Sequence, residues 1–225
     1  MKVEEFVKKP FYLVIGTPRS GTSMVADVVK ACGYNFGNTL KIEDPRDGHN
    51  EHNTYTWGYI STPKAILETP EKSVRFMKED MAQNDIQAAK RLVQILEFTQ
   101  LFNEQMDDLR VLIPIRPMLS CFASSLNHTL NFIGVKDINN FANKTLVSLR
   151  VYLRDMETIR RIILDDTIMT LELPWPLMMS KNPVLMRQLA LYLEQEDVSV
   201  IANAIQSNEI PYDFLDSTIE LDWDI

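Results

Sequence analysis

The stretch Phe11-Tyr12-Leu13-Val14-Ile15-Gly16-Thr17-Pro18-Arg19-Ser20-Gly21-Thr22-Ser23 decides the reading of this chain. Its apolar run before the first glycine is the pattern of a strand covered on both faces. Gly16 and Gly21 bracket a loop that can turn tightly and let a ligand approach its backbone. Thr22 and Ser23 open a helix that runs to about Cys32, with Gly33 as its C-cap. The helix turns its free N–H groups and the positive end of its dipole onto the loop, which makes a seat for phosphate or sulfate. The spacing G-x-x-x-x-G-T-S is that of a Walker A loop in which Thr22 stands where the lysine belongs. A cation sits earlier in the loop, at Arg19. The loop therefore suits an anionic nucleotide but not ordinary Mg-ATP chemistry.

The rest of the chain reads as the frame around that loop. With 225 residues, 45% of them hydrophobic, one α/β domain over 1–225 is the simplest count. Its core spans about 11–195, and residues 210–225 form an acidic, aromatic tail. A net charge of −8 argues against nucleic acid or an anionic membrane as partner. No apolar run is long enough to span a bilayer and no signal peptide is evident, so a cytoplasmic protein is expected. Cys32 and Cys121 read as buried free thiols rather than a disulfide framework.

Residues 34–59 are a long polar loop with turns at Asp44-Pro45 and Asp47-Gly48. Thr62-Pro63 and Thr69-Pro70 read as helix starts. Ser73–Met77 fits either a short strand or the continuation of a helix from Pro70. Asp85 then caps a predicted helix to about Gln105, with Ile86, Ala89, Leu92, Val93, Leu96 and Phe102 at helical spacing. Leu109–Ile115 is a second buried strand, ended by Arg116-Pro117 and followed by a helix to about Phe132. A long helix is expected over Ile138–Asp165, a strand over Thr167–Leu173, a helix from Asn182-Pro183 to about Leu193, and a last one over Val198–Gln206. Strands separated by helices predict an α/β fold with a parallel sheet between helical layers.

The loop Gly16–Ser23 resembles the 5′-phosphosulfate loop of the sulfotransferase family. That family uses 3′-phosphoadenosine 5′-phosphosulfate (PAPS), and Pro18, Arg19, Ser20, Gly21 and Thr22 match its Pro, Lys/Arg, Ser-Gly-Thr order. A second match lies at Arg116, with Ser124 eight residues on, similar to the family's 3′-phosphate site at a strand end and the following helix. A guanidinium fork and a hydroxyl are apt donors for phosphate oxygens. The family often has Arg-Asp-Pro where this chain has Arg116-Pro117, and Ser125 could serve in place of Ser124.

Asp44-Pro45-Arg46-Asp47-Gly48-His49-Asn50-Glu51 resembles the acceptor-side loop of bacterial-type members. Glu51 is the first candidate base, with His49 and His52 as alternatives. His49-x-x-His52 has no further convincing metal ligands, and the family reaction needs no metal. Lys78-Glu79-Asp80 resembles the family's Lys-Asp-Pro-Arg segment without its Pro and Arg. Thr170–Leu173 with Asn182-Pro183 looks like its closing strand, turn and helix.

The resemblance thus implies a three-layer parallel sheet flanked by helices, the P-loop NTPase-like sulfotransferase fold. It implies sulfuryl transfer from PAPS as co-substrate to a hydroxyl or amine of a small-molecule or carbohydrate acceptor; lipid and peptide tyrosine also fit. Pro18, Arg19, Ser20, Gly21, Thr22, Ser23, Arg116 and Ser124 would bind the nucleotide. Glu51, Arg19 and His49 would carry the chemistry. The alternatives are a P-loop nucleoside or small-molecule kinase and a non-catalytic nucleotide-binding member of the fold. Against the kinase, Thr22 replaces its lysine and the strand Leu109–Ile115 ends in Arg116, not in Asp.

Overall fold

The computed structural model describes residues 10–17, 19–37, 85–92, 103, 108–124 and 138–207. Helices and strands below are numbered among these residues. The elements in chain order are β1 (Phe11–Gly16), α1 (Thr22–Ala31), β2 (Ala88–Leu92), β3 (Leu109–Ile115) and α2 (118–124). They continue with α3 (Ile138–Ile163), β4 (Met169–Pro174), α4 (Trp175–Met179), α5 (Pro183–Tyr192) and α6 (Val198–Ser207).

The four strands form one parallel sheet in the order β2-β1-β3-β4. β1 is central and every one of its residues is buried. Its side chains alternate between two cores, as the pleat requires. Tyr12 and Val14 meet Val25, Val28 and Val29 of α1 and Leu185 and Leu189 of α5 on one face. Leu13 and Ile15 meet Ile159 and Ile162 of α3 on the other. This is the expected α/β architecture, a sheet between helical layers.

Several elements form where their local signals put them. The Oδ1 of Asn182 accepts from the backbone N–H groups of Val184 and Leu185 at 3.1 and 3.3 Å, and Pro183 fills the first helical position. Gly33 takes a φ of +93° just beyond α1 and donates to the Lys30 carbonyl at 2.9 Å. Cys32 and Cys121 are free thiols; Cys121 is buried and Cys32 partly so.

One expectation is overturned. Residues 85–92 do not begin a helix capped by Asp85. Asp85 lies in a turn at φ +49°, and Ala88–Leu92 forms β2. Ala, Lys, Arg and Leu are good helix formers, but β1 offers a free edge on this side. Pairing runs from Tyr12↔Ala88 to Gly16↔Leu92. Ala88 enters one core and Ala89 the other, where their small side chains let the helical layers close on the sheet edge.

The N-terminal ends of the strands are closed by a polar network. Arg110 of β3 places all its N–H donors: two on Asp108, and one each on Glu194, the Tyr12 hydroxyl and the Tyr192 carbonyl. Tyr34 donates to the Leu193 carbonyl at 2.6 Å, and its ring stacks at a tilt on Tyr12, 4.4 Å between centres. Burial holds the Tyr12 and Tyr192 hydroxyls above the usual phenol range, so both stay neutral hydrogen-bonding groups.

Candidate functional site

β1 connects through α1 to β2 on one side, while β3 connects to β4 on the other. The strand order therefore reverses between β1 and β3. In open α/β sheets the crevice for a ligand lies beyond the carboxyl ends of the strands at such a reversal. Here those ends carry the loop Gly16–Gly21 and Arg116.

The loop is shaped by close approach. A Cβ on Gly16 would lie 2.4 Å from Ser20 Oγ and 2.7 Å from Thr22 Cγ2, so only glycine fits. Gly21, the N-cap of α1, has φ +103° and gives no side-chain cap, leaving first-turn N–H groups of α1 facing the loop. Arg19 also adopts a left-handed backbone, φ +67°, a conformation that non-glycine residues hold mainly where the surroundings impose it. Ser20 is 1% exposed and its Oγ has no hydrogen-bond partner, whereas buried hydroxyls ordinarily have one. An anion seated on the first turn of α1 would supply that partner, so these residues fit a phosphate or phosphosulfate.

Four positive features converge there. Besides the helix N-terminus and Arg19, Lys90 of β2 lies buried beneath α1 and donates to Ser23 Oγ at 2.9 Å. Arg116, at the end of β3, is also buried and donates through Nη1 to the Arg19 carbonyl at 3.1 Å. Arg19 in turn donates through Nε to Ser124 Oγ on α2 at 3.2 Å. The expected pair Arg116 and Ser124 is thus brought together with Arg19 in one crevice. Cys121 sits behind it, its Sγ 3.7 Å from the Arg19 carbonyl. Burial pushes this thiol up, against the opposing pull of the Arg116 charge, so it is held as a protonated packing group.

Arg19, Ser20, Gly21, Thr22, Ser23, Arg116 and Ser124 thus lie together at the ends of β1 and β3. Pro18, Glu51, His49, His52, Ser125 and Lys78-Glu79-Asp80 lie outside the described residues, as does the strand candidate Ser73–Met77. Among the described residues no group of three or more His, Cys, Asp or Glu is placed to hold a metal. No described helix is long and apolar enough to cross a membrane.

Two residues of the crevice escape sequence reasoning. Lys90 falls within the stretch expected to be helical; only the pairing of β2 with β1 carries it under the loop. Trp175 follows β4 and lies against both Arg116 and Gly21. No short-range pattern marks either residue, because both positions are set by sheet order.

No protein-family model and no curated protein matches the sequence. Solved structures match it in fold. The sulfotransferase domain from the Synechococcus PCC 7002 olefin synthase superposes with a TM-score of 0.53 at 11% identity, over 93% of this chain and 84% of that one. The sulfotransferase domain from the curacin biosynthetic pathway gives 0.52 at 12% identity, over 87% and 77%. The chain therefore has a sulfotransferase-like α/β fold.

Proposed function

We propose that this chain transfers a sulfuryl group from PAPS to a hydroxyl or amine of a small-molecule or carbohydrate acceptor, as a single cytoplasmic domain spanning 1–225. The observation that supports the reading is the gathering of two sets of cationic and hydroxyl donors across one strand reversal, each read as an anion seat. One is the loop with Ser20, Arg19, Lys90 and the N-terminus of α1; the other is Arg116 with Ser124. A nucleotide with a 5′-phosphosulfate and a 3′-phosphate presents an anion to each.

In this reading Pro18, Ser20, Thr22, Ser23 and the first-turn N–H groups bind the 5′ end, and Gly21 shapes the turn. Arg116 and Ser124 bind the 3′-phosphate through charge-assisted hydrogen bonds. PAPS supplies the activated S–O bond. Arg19 and Lys90 hold positive charge where the departing phosphate gains negative charge, so they favour the transition state over the ground state. Glu51, or His49 or His52 in its place, takes the acceptor's proton as the new O–S or N–S bond forms. The bond from sulfur to the 5′-phosphate breaks, and adenosine 3′,5′-bisphosphate leaves.

The test is a thermal-shift comparison of adenosine 3′,5′-bisphosphate against ATP with Mg²⁺. At a hundredfold excess over its dissociation constant the bisphosphate stabilises the fold by about 2.7 kcal/mol, or about 5–10 °C for a domain of this size. A larger shift with Mg-ATP overturns the reading in favour of a kinase. A bisphosphate shift with no transfer to any acceptor marks a non-catalytic binding protein. In an active preparation, Arg19→Ala abolishes transfer.

A further inference from the structure

Arg116 and Gly21 belong to different anion seats, yet one side chain touches both. Trp175 is the first residue of α4, directly after β4. The guanidinium carbon of Arg116 lies 4.9 Å from its ring centre. On the loop side, a Cβ at Gly21 would lie 2.3 Å from Trp175 Cζ3 and 2.8 Å from Cε3. The indole therefore fills the space beside the N-cap of α1 with no clearance.

The physical consequence differs on the two sides. Against Arg116, a ring face stabilises the cation without cancelling its charge and fixes the plane of the fork. Against Gly21, the ring blocks outward movement of the turn. The seats are also joined through Arg19, whose carbonyl accepts from Arg116 while its Nε donates to Ser124 Oγ. A phosphate arriving on Arg116 accepts a hydrogen bond from the Ser124 hydroxyl while Ser124 Oγ still accepts from Arg19 Nε, so one hydroxyl links that phosphate to the Arg19 turn. Arg116 can share that phosphate with Ser124 only while its fork stays in plane.

We propose that Trp175 is a positioning residue that makes the two seats one. It holds Arg116 against the Arg19–Gly21 turn, so that a 3′-phosphate is required for tight binding and nucleotides without one are rejected. The proposal rests on the PAPS reading and adds to it a determinant of nucleotide choice. Phenylalanine at this position keeps a smaller ring face; leucine keeps bulk and loses the face.

Calorimetric titration with adenosine 3′,5′-bisphosphate and with 5′-AMP, which lacks the 3′-phosphate, tests this. The wild-type protein prefers the bisphosphate by about 100-fold, as expected for charge-assisted bonds to phosphate. Trp175→Leu cuts that ratio by about tenfold or more, mostly by weakening the bisphosphate, while 5′-AMP affinity changes by less than about threefold. Trp175→Phe falls between the two, and it carries the test by itself if the leucine variant does not fold. Ratios equal to wild type in the folded variants, or equal weakening of both nucleotides, overturn the role of Trp175 and leave the PAPS reading standing. A wild-type protein with no preference for the bisphosphate overturns both.

Discussion

Strand β3 carries an arginine near each end, and the two are used in opposite ways. Arg110, at the N-terminal end, has every donor placed on a carboxylate, a carbonyl or a hydroxyl of the protein. Arg116, just past the C-terminal end, is more deeply buried, and it holds the Arg19 carbonyl and the face of Trp175. Beside Arg110 the polar groups satisfy one another. Beside Arg116 lie Arg19 and, at the first turn of α1, Lys90 with Ser23, and the Ser20 hydroxyl has no partner. The comparison separates an end of the sheet whose polar groups satisfy one another from an end where donors gather around an unpartnered hydroxyl.

That division can be broken by substitution. The largest effect is expected from Lys90→Met. Removing the cation that donates to Ser23 in the first turn of α1 lowers transfer by about 100-fold or more, with a smaller effect on the melting temperature of the ligand-free protein than the Arg110 substitution below. Melting curves and turnover measured on one preparation check this; a large loss of stability would place Lys90 with the structural groups instead.

Arg110→Met should do the reverse. Loss of its bonds to Asp108, Glu194, Tyr12 and Tyr192 costs about 2–3 kcal/mol, a drop of about 4–12 °C in melting temperature, with nucleotide affinity unchanged below the transition. Weakened nucleotide binding in the folded variant would mean that the two ends communicate. The smallest effect sharpens the picture without threatening it. Tyr34→Phe removes the hydroxyl that bonds to the Leu193 carbonyl and costs about 1 kcal/mol, measurable by urea unfolding and again without effect on affinity.

The parts of this molecule that sequence makes legible are those with short-range causes. Phe11–Ile15 is apolar throughout because β1 is covered on both sides, and Asn182-Pro183 carries its own cap and first helical residue. The spacing of Arg116 and Ser124 is legible because a strand end and the next helix lie close in the chain. Ala88–Leu92 reads as helix because its residues are helix formers, and the cause of its extended form is its pairing with β1, far away in sequence. The same cause places Lys90. Trp175 carries no local signal for a related reason: its place against Gly21 is fixed by strand order.

The close fit of Trp175 over Gly21 also bears on the order in which the molecule is made. Chains emerge N-terminal end first, so the glycine loop leaves the ribosome long before β4 and the tryptophan that follows it. Until then neither Arg116 nor Trp175 is present to hold the Arg19–Gly21 turn, and contacts so distant in sequence form late. A nascent chain therefore carries the loop before the side chains that fix its turn in the folded protein.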